Sequence, residues 1–248
     1  MNKKFLFGFA TVALGAAFVA TTPVQAAADD TATKMTTDAG IGFSTFNPGP
    51  GPFYKNLALT FVPKSFQFGN ANTASANAQT YKQTDAPSGG QYVGVSDDRD
   101  TKTAWNVSAT LADFTSTTTS SNTLANAELS MVLSATQQFA MDGATADASG
   151  VPTPNSTTLT DFTDATLKAL YSGTSSETVK LTAGGAGKTV MSYTLPTTGS
   201  AATGTAAVAR TVSDVNLTVK GGSAKENNQY KSTVTWVLSD TGTDSPTA

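Results

Sequence analysis

The side chains on which many enzymes depend are missing from this chain, which has no histidine and no cysteine. Ser-His-Asp and Cys-His nucleophiles and the usual zinc sites are therefore excluded. What remains is chemistry by paired carboxylates, by a Ser-Lys couple, or by an oxygen-ligated metal. Asp97, Asp98 and Asp100 could gather round a hard cation, but Arg99 lies among them and the Asp-x-Asp-x-Asp-Gly register is absent. Clustered Asp in a short connection reads more simply as turn chemistry. No two carboxylates form an obvious acid–base couple, and Glu128 stands at a strand start as a solvated edge residue. The expectation is a protein without catalytic residues, metal ligands or cofactor.

Two short motifs suggest chemistry that their surroundings contradict. Leu195-Pro196-Thr197-Thr198-Gly199 fits the Leu-Pro-x-Thr-Gly signal for covalent anchoring. That signal works beside a C-terminus, before an apolar span and a basic tail; here two good strands follow instead, so a strand-end turn is expected. Gly187-Lys188-Thr189 resembles the end of a phosphate loop, but Thr182 stands where the first glycine belongs. A strand follows rather than a helix, so no helix N-terminus is there to hold phosphate. The run Gly184-Gly185-Ala186-Gly187 instead predicts a hairpin between strands at 178–183 and 188–195.

The elements that would position any site are strands. In 230–240, Tyr230, Val234, Trp236 and Leu238 share one face, with Lys231, Thr233, Thr235 and Ser239 on the other. An earlier segment repeats the pattern, with Trp105, Val107, Ala109 and Leu111 opposite Asn106, Ser108 and Thr110. Period-two alternation with β-branched residues between marks half-buried antiparallel strands. These segments hold the only two tryptophans, and only tertiary pairing could bring them together.

Composition bounds the rest. The chain of 248 residues begins with basic Asn2-Lys3-Lys4, an apolar run over 5–20 and small residues at Val24-Gln25-Ala26. This is a signal-peptide pattern over residues 1–26, and no later segment could span a bilayer. An exported, soluble protein is expected, with no membrane attachment after cleavage. Without cysteine its stability must come from a conventional core. Net charge is −3 with 13% charged residues, so no basic stripe for nucleic acid exists. Attraction to an anionic partner would have to be short-range: stacking, hydrogen bonds and shape.

Residues 27–40 read as a disordered lead-in, a first short strand is expected at 41–43, and 47–52 is a Pro/Gly turn. Strands follow at 57–61, 66–68 and 92–95. Residues 97–100 then turn the chain back into the 103–111 tryptophan strand. Further strands are expected at 129–133 and 215–219, with a weak helix over 161–171 capped by Thr160 or Asp161. The pattern dissolves over 140–156, and 241–248 is a tail. The whole predicts one all-β, antiparallel, sandwich-like domain over 41–240, with long Gly/Ser/Thr-rich loops and at most one short helix.

Five blocks carry a resemblance. Val62-Pro63-Lys64-Ser65-Phe66-Gln67-Phe68-Gly69 resembles a Val-Pro-x-Phe-x-Phe-Gly signature, and Tyr92-Val93-Gly94-Val95-Ser96-Asp97-Asp98-Arg99 a strand-plus-Asp-Arg segment. Trp105-Asn106-Val107 and Trp236-Val237-Leu238-Ser239-Asp240 stand where two Trp-x-Leu motifs belong, and Leu124-Ala125-Asn126-Ala127-Glu128-Leu129 is similar to a Leu-x-x-Ala-x-Leu block. In this order they resemble the WxL domains of low-GC Gram-positive surface proteins, over roughly 43–240, with Val107 replacing the first leucine as a small packing change. The resemblance implies non-covalent attachment to the cell wall, with peptidoglycan or another wall glycan as partner, and work alongside other surface proteins. It also implies a small family member without an added adhesive or enzymatic domain. The residues then expected to contact ligand are Trp105, Val107, Trp236 and Leu238, aided by Tyr92 and Tyr230. Their in-phase aliphatic neighbours point instead to a core role, so stacking on sugar and burial both stay open.

Overall fold

The computed structural model describes residues 34–40, 57–97, 99, 102–139, 159–196 and 206–240. The leader, the strand expected at 41–43, the Pro/Gly turn at 47–52, the 140–156 segment and the tail lie outside the described residues. Within them the protein is all-β: two sheets face one another and one short helix interrupts them.

The first sheet contains β1 (Lys34–Gly40), β3 (Ser65–Gln67), β6 (Trp105–Leu111), β7 (Phe114–Ser116), β8 (Thr123–Leu124), β13 (Lys188–Tyr193) and β15 (Tyr230–Asp240). Its main order is β13-β6-β15-β1-β3. The two tryptophan strands are therefore direct antiparallel neighbours at its centre. The second sheet contains β2 (Leu57–Phe61), β4 (Gln79–Lys82), β5 (Gln91–Asp97), β9 (Glu128–Leu133), β10 (Gln137–Phe139), β11 (Leu159–Thr160), β12 (Glu177–Thr182) and β14 (Ala206–Val219). All pairings are antiparallel except the short β1–β3 edge pair.

Both inner faces feed one core. Trp105, Val107, Ala109, Val234, Trp236 and Leu238 meet Val93, Val95, Leu129, Met131, Val208 and Val212 of the facing sheet, and all are buried. Strands β6 and β15 bury every second residue, as their alternation requires. Strand β5 differs by burying all seven residues. Val93 and Val95 join the main core, while Gly94 lies under the Phe61 ring, where an added Cβ would come within 2.8 Å of Phe61 Cδ2. Phe61 packs edge-on against Phe139 at 5.3 Å, over a second apolar cluster with Ala207 and Ala209. Strand β14 serves both clusters and changes partners along its length. Its first half pairs with β5 and, at Val208 and Ala209, with β10; from Val212 it pairs with β9 through a register shift between Ser213 and Asn216, and from Asn216 also with β4. Asp214, at φ 44°, absorbs that shift.

Several expectations are corrected. Residues 34–40 belong to a strand, not to a disordered lead-in; β1 pairs along β15 from Lys34↔Val237 to Gly40↔Lys231. The glycine run at 184–187 is not a hairpin, because β12 pairs with β9 in one sheet and β13 with β6 in the other. At this corner Ala183 N–H donates to Ala127 O at 2.8 Å and Gly184 N–H to Leu111 O at 2.9 Å, which hands the chain from sheet to sheet. Nor does β5 return into β6 as a hairpin; they lie in opposite sheets. The helix is a single turn, α1 (Ala165–Lys168), capped by Asp164 rather than Thr160 or Asp161. Asp164 Oδ1 accepts from the Thr166 and Leu167 N–H groups at 2.7 and 3.3 Å.

Candidate functional site

Pairing of β6 with β15 brings the two tryptophan motifs into one register. Val107 lies opposite Leu238, Ala109 opposite Trp236 and Asp240 opposite Trp105. The aliphatic ends of both motifs thus meet as a pair, and the two indoles flank that pair on the core side. Small Ala109 leaves room opposite Trp236. Trp105 and Trp236 are 1% and 0% exposed, and Val107 and Leu238 are buried with them. Tyr92 is buried on the face of β5 away from the main core, with its hydroxyl donating to Gly89 O at 2.7 Å. Tyr230 is buried at the far end of β15 from Trp105, and its hydroxyl accepts from Lys225 N–H at 3.0 Å. The structure therefore gathers Trp105, Val107, Trp236 and Leu238 into one core patch and leaves Tyr92 and Tyr230 apart from it. Of the six, none turns an exposed ring or apolar face to solvent.

The Asp240 end of the sandwich is closed by charge. Asp97, 1% exposed at the end of β5, receives Arg99 through Nε to Oδ1 at 2.8 Å and Nη2 to Oδ2 at 3.0 Å. Arg99 Nη1 continues to Asp240 Oδ2 at 2.6 Å and to Thr103 Oγ1 at 2.6 Å. Thr103 Oγ1 donates to Asp240 Oδ1 at 2.7 Å, and buried Lys102 donates to the Asp97 carbonyl. Hydrogen bonding by Asp97, reinforced by the Asp97 and Asp240 charges, raises the Arg99 pKa and holds the guanidinium charged against its partial burial. This fork ties β5 of one sheet to β15 of the other. Asp97 is occupied by Arg99 and Lys102, while Asp98 and Asp100 lie outside the described residues.

Beside the fork lies an aromatic group. Tyr193 stacks on Trp105 at 6.1 Å, Tyr171 approaches Tyr193 at 5.2 Å, and Phe162 stacks on Tyr171 at 5.2 Å. Burial pushes the Tyr171 and Tyr193 phenols up, and the nearby Asp97 charge adds to this. Trp105 Nε1 and Tyr193 Oη are buried without a hydrogen-bond partner.

A second intersheet tie was not foreseen from sequence. Arg210 of β14, 1% exposed, donates from Nε to Ser134 O at 2.7 Å and from Nη1 to Val190 O at 2.7 Å and Glu177 Oε1 at 2.5 Å. Its one signal was a lone arginine in an Ala/Val run. Gly173, at φ 72°, makes room, since an added Cβ would come within 2.5 Å of Arg210 Cζ.

At the Tyr230 end there is instead a cleft of about 500 Å³ between residues 70–74 and residues 224–230, with Tyr81, Leu124 and Val219 completing it. Its rim is braced from outside. Asn228 Oδ1 accepts from Ser116 Oγ at 2.7 Å and Thr118 Oγ1 at 3.0 Å, while Asn228 Nδ2 donates to Glu226 O at 3.0 Å. On the other rim Asn72 Nδ2 donates to Phe68 O at 2.8 Å. The neighbouring turn is held by contact, since a Cβ on Gly221 would meet Ala76 O at 2.2 Å. Asn70, Lys225, Glu226, Asn227 and Gln229 are exposed on these rims, and their side chains make no hydrogen bond or ion pair among the described residues.

The fold and its two ends define a disulfide-free β-sandwich whose sheets are tied by the Arg99 and Arg210 forks and whose loops frame an open cleft. The chain belongs to the WxL domain family of surface cell wall-binding proteins, whose family model matches residues 20–242. It is accordingly a wall-associated surface protein. No curated protein and no solved structure matches it. Among the described residues no helix is long and apolar enough to cross a membrane.

Proposed function

We propose that this protein is a non-catalytic module that, once exported from a Gram-positive cell through its 1–26 leader, holds to peptidoglycan without a covalent bond. Family membership supplies the wall; the carrying observation for the finer reading is where the polar groups stand. The cleft at the Tyr230 end has a single carboxylate, Glu226, so no acid–base pair spans it. The most buried charges, in Asp97, Lys102 and Arg210, are taken up in the intersheet ties. With a net charge of −3, long-range attraction to an anionic wall is unfavourable, which leaves uncharged, short-range contacts to a glycan.

The alternative, a module docking other exported proteins, calls for an exposed apolar strip. Leu195 is the one large hydrophobic side chain exposed among the described residues, so the surface favours the glycan. The mature chain should sediment with purified peptidoglycan stripped of proteins and anionic polymers, equally well in dilute buffer and in about 1 M salt, where the Debye length is about 3 Å. Sedimentation only with walls that retain their proteins would replace this reading with the docking one.

A further inference from the structure

We infer that the cleft between residues 70–74 and 224–230 is the glycan-binding site, and that its ligand is an uncharged, N-acetylated stretch of glycan strand. This rests on the peptidoglycan reading above and assigns it a place. None of the six residues singled out in the sequence for the Trp-x-Leu motifs and their tyrosines offers an exposed ring, so recognition must use other groups. In the cleft, unspent polar groups face a concavity.

Its chemistry suits a sugar. Asn70, Asn227 and Gln229 bring primary amides, each with donors and an acceptor, and none is used among the described residues. Asn72 spends its Nδ2 on Phe68 and Gly69 and keeps Oδ1 for a ligand. Amides of this kind bond to ring hydroxyls and to acetamido groups alike. Tyr81 is half-buried in the wall and can present part of its ring to the C–H face of a pyranose, while Tyr230, Leu124 and Val219 lie buried behind the lining. The volume falls within the about 300–1,000 Å³ usual for small-ligand sites. One lysine and one glutamate leave the lining without net charge, so a polyanion gains nothing there. The bracing of Asn228 and Asn72 keeps both rims in place before ligand arrives, which lowers the ordering cost of binding.

The experiment uses the mature chain, purified peptidoglycan, and uncharged β-1,4-linked N-acetylglucosamine oligomers as the glycan probe. In Asn70→Ala/Gln229→Ala, sedimentation with peptidoglycan should weaken on the order of tenfold or more, as expected for two or more lost hydrogen bonds. The thermal midpoint should stay put, because both side chains are exposed and unpaired. The uncharged N-acetylglucosamine oligomers should shift the backbone amide resonances of residues 70–74 and 225–229 in the unmodified protein, and free stem peptides should not. If the unmodified protein binds peptidoglycan and the double variant binds it as well, or if the shifts fall elsewhere, the cleft assignment is overturned and the peptidoglycan reading stands. If the unmodified protein does not bind peptidoglycan at all, both fall.

Discussion

The two ends of β15 have been put to opposite uses. At Asp240 the charged groups are consumed: Arg99 serves Asp97, Thr103 and Asp240 at once, and the aromatic group closes over Trp105 beside it. At Tyr230 the polar groups on the rims are braced from behind yet left unspent toward the cleft. The ten-residue separation along one strand therefore parts what holds the sheets together from what can meet a ligand. An indole in a named motif is not by itself a binding group; here the motif marks the framework, and the loops at the other end carry the free hydrogen-bonding capacity.

This contrast breaks if closed-end substitutions change binding before they change stability. The largest effect is expected from Trp105→Ala, which removes a fully buried ring from the core and from its Tyr193 and Tyr171 contacts. It should cost about 4 kcal/mol, read as a lower urea midpoint. Whatever fraction stays folded should still sediment with peptidoglycan; a folded variant that has lost binding would return the indole to the site.

Asp97→Asn comes next. It takes the nearer of two counter-charges from Arg99 and the paired charge from buried Lys102, and should cost about 3 kcal/mol, again without weakening the binding of the folded protein. A loss below about 0.5 kcal/mol would mean that the fork contributes little to joining the sheets.

The smallest effect sharpens the picture of the aromatic group. The folded Tyr171 phenol is held above its ordinary 10.0, mainly by burial. The unfolded chain releases this proton first, so the stabilisation is fully present below about pH 10 and is lost as pH climbs toward the folded value. In urea titrations near pH 8 and pH 11, Tyr171→Phe should lose less of its midpoint over that interval than the unmodified protein. Equal losses in both would show that other groups govern the alkaline limb.

Much of the framework was legible. The alternation in 105–111 and 230–240 placed both strands and their inward faces, because one side of each meets the core and the other meets solvent. Where both faces are covered, alternation fails as a guide. The run Ala207-Val208-Ala209-Arg210 is buried throughout, with Val208 on the main core and the alanines on the Phe139 cluster, and only the later 215–219 part of its strand was expected. The glycine run at 184–187 and the turn at 97–100 read as hairpins because local signals cannot say whether the next strand joins the same sheet. Residues 34–40 read as disordered because a Thr/Asp/Ala-rich strand held by backbone pairing leaves little hydrophobic trace. The cleft was illegible for another reason: its Asn and Gln residues come from loops far apart in sequence, and only the fold makes them neighbours.

One feature of the first sheet bears on how the molecule is made. Strand β15, the last described segment, slots between β6 and β1, and β1 is the earliest. As the chain emerges in order, the centre of that sheet stays vacant until residues 230–240 arrive. Closure then demands contacts that span nearly the whole described chain, from Lys34 to Val237, which makes for slow folding. A product cut short before Tyr230 would expose the flanks of both neighbours together, so completeness of the polypeptide is written into its ability to hide its own backbone.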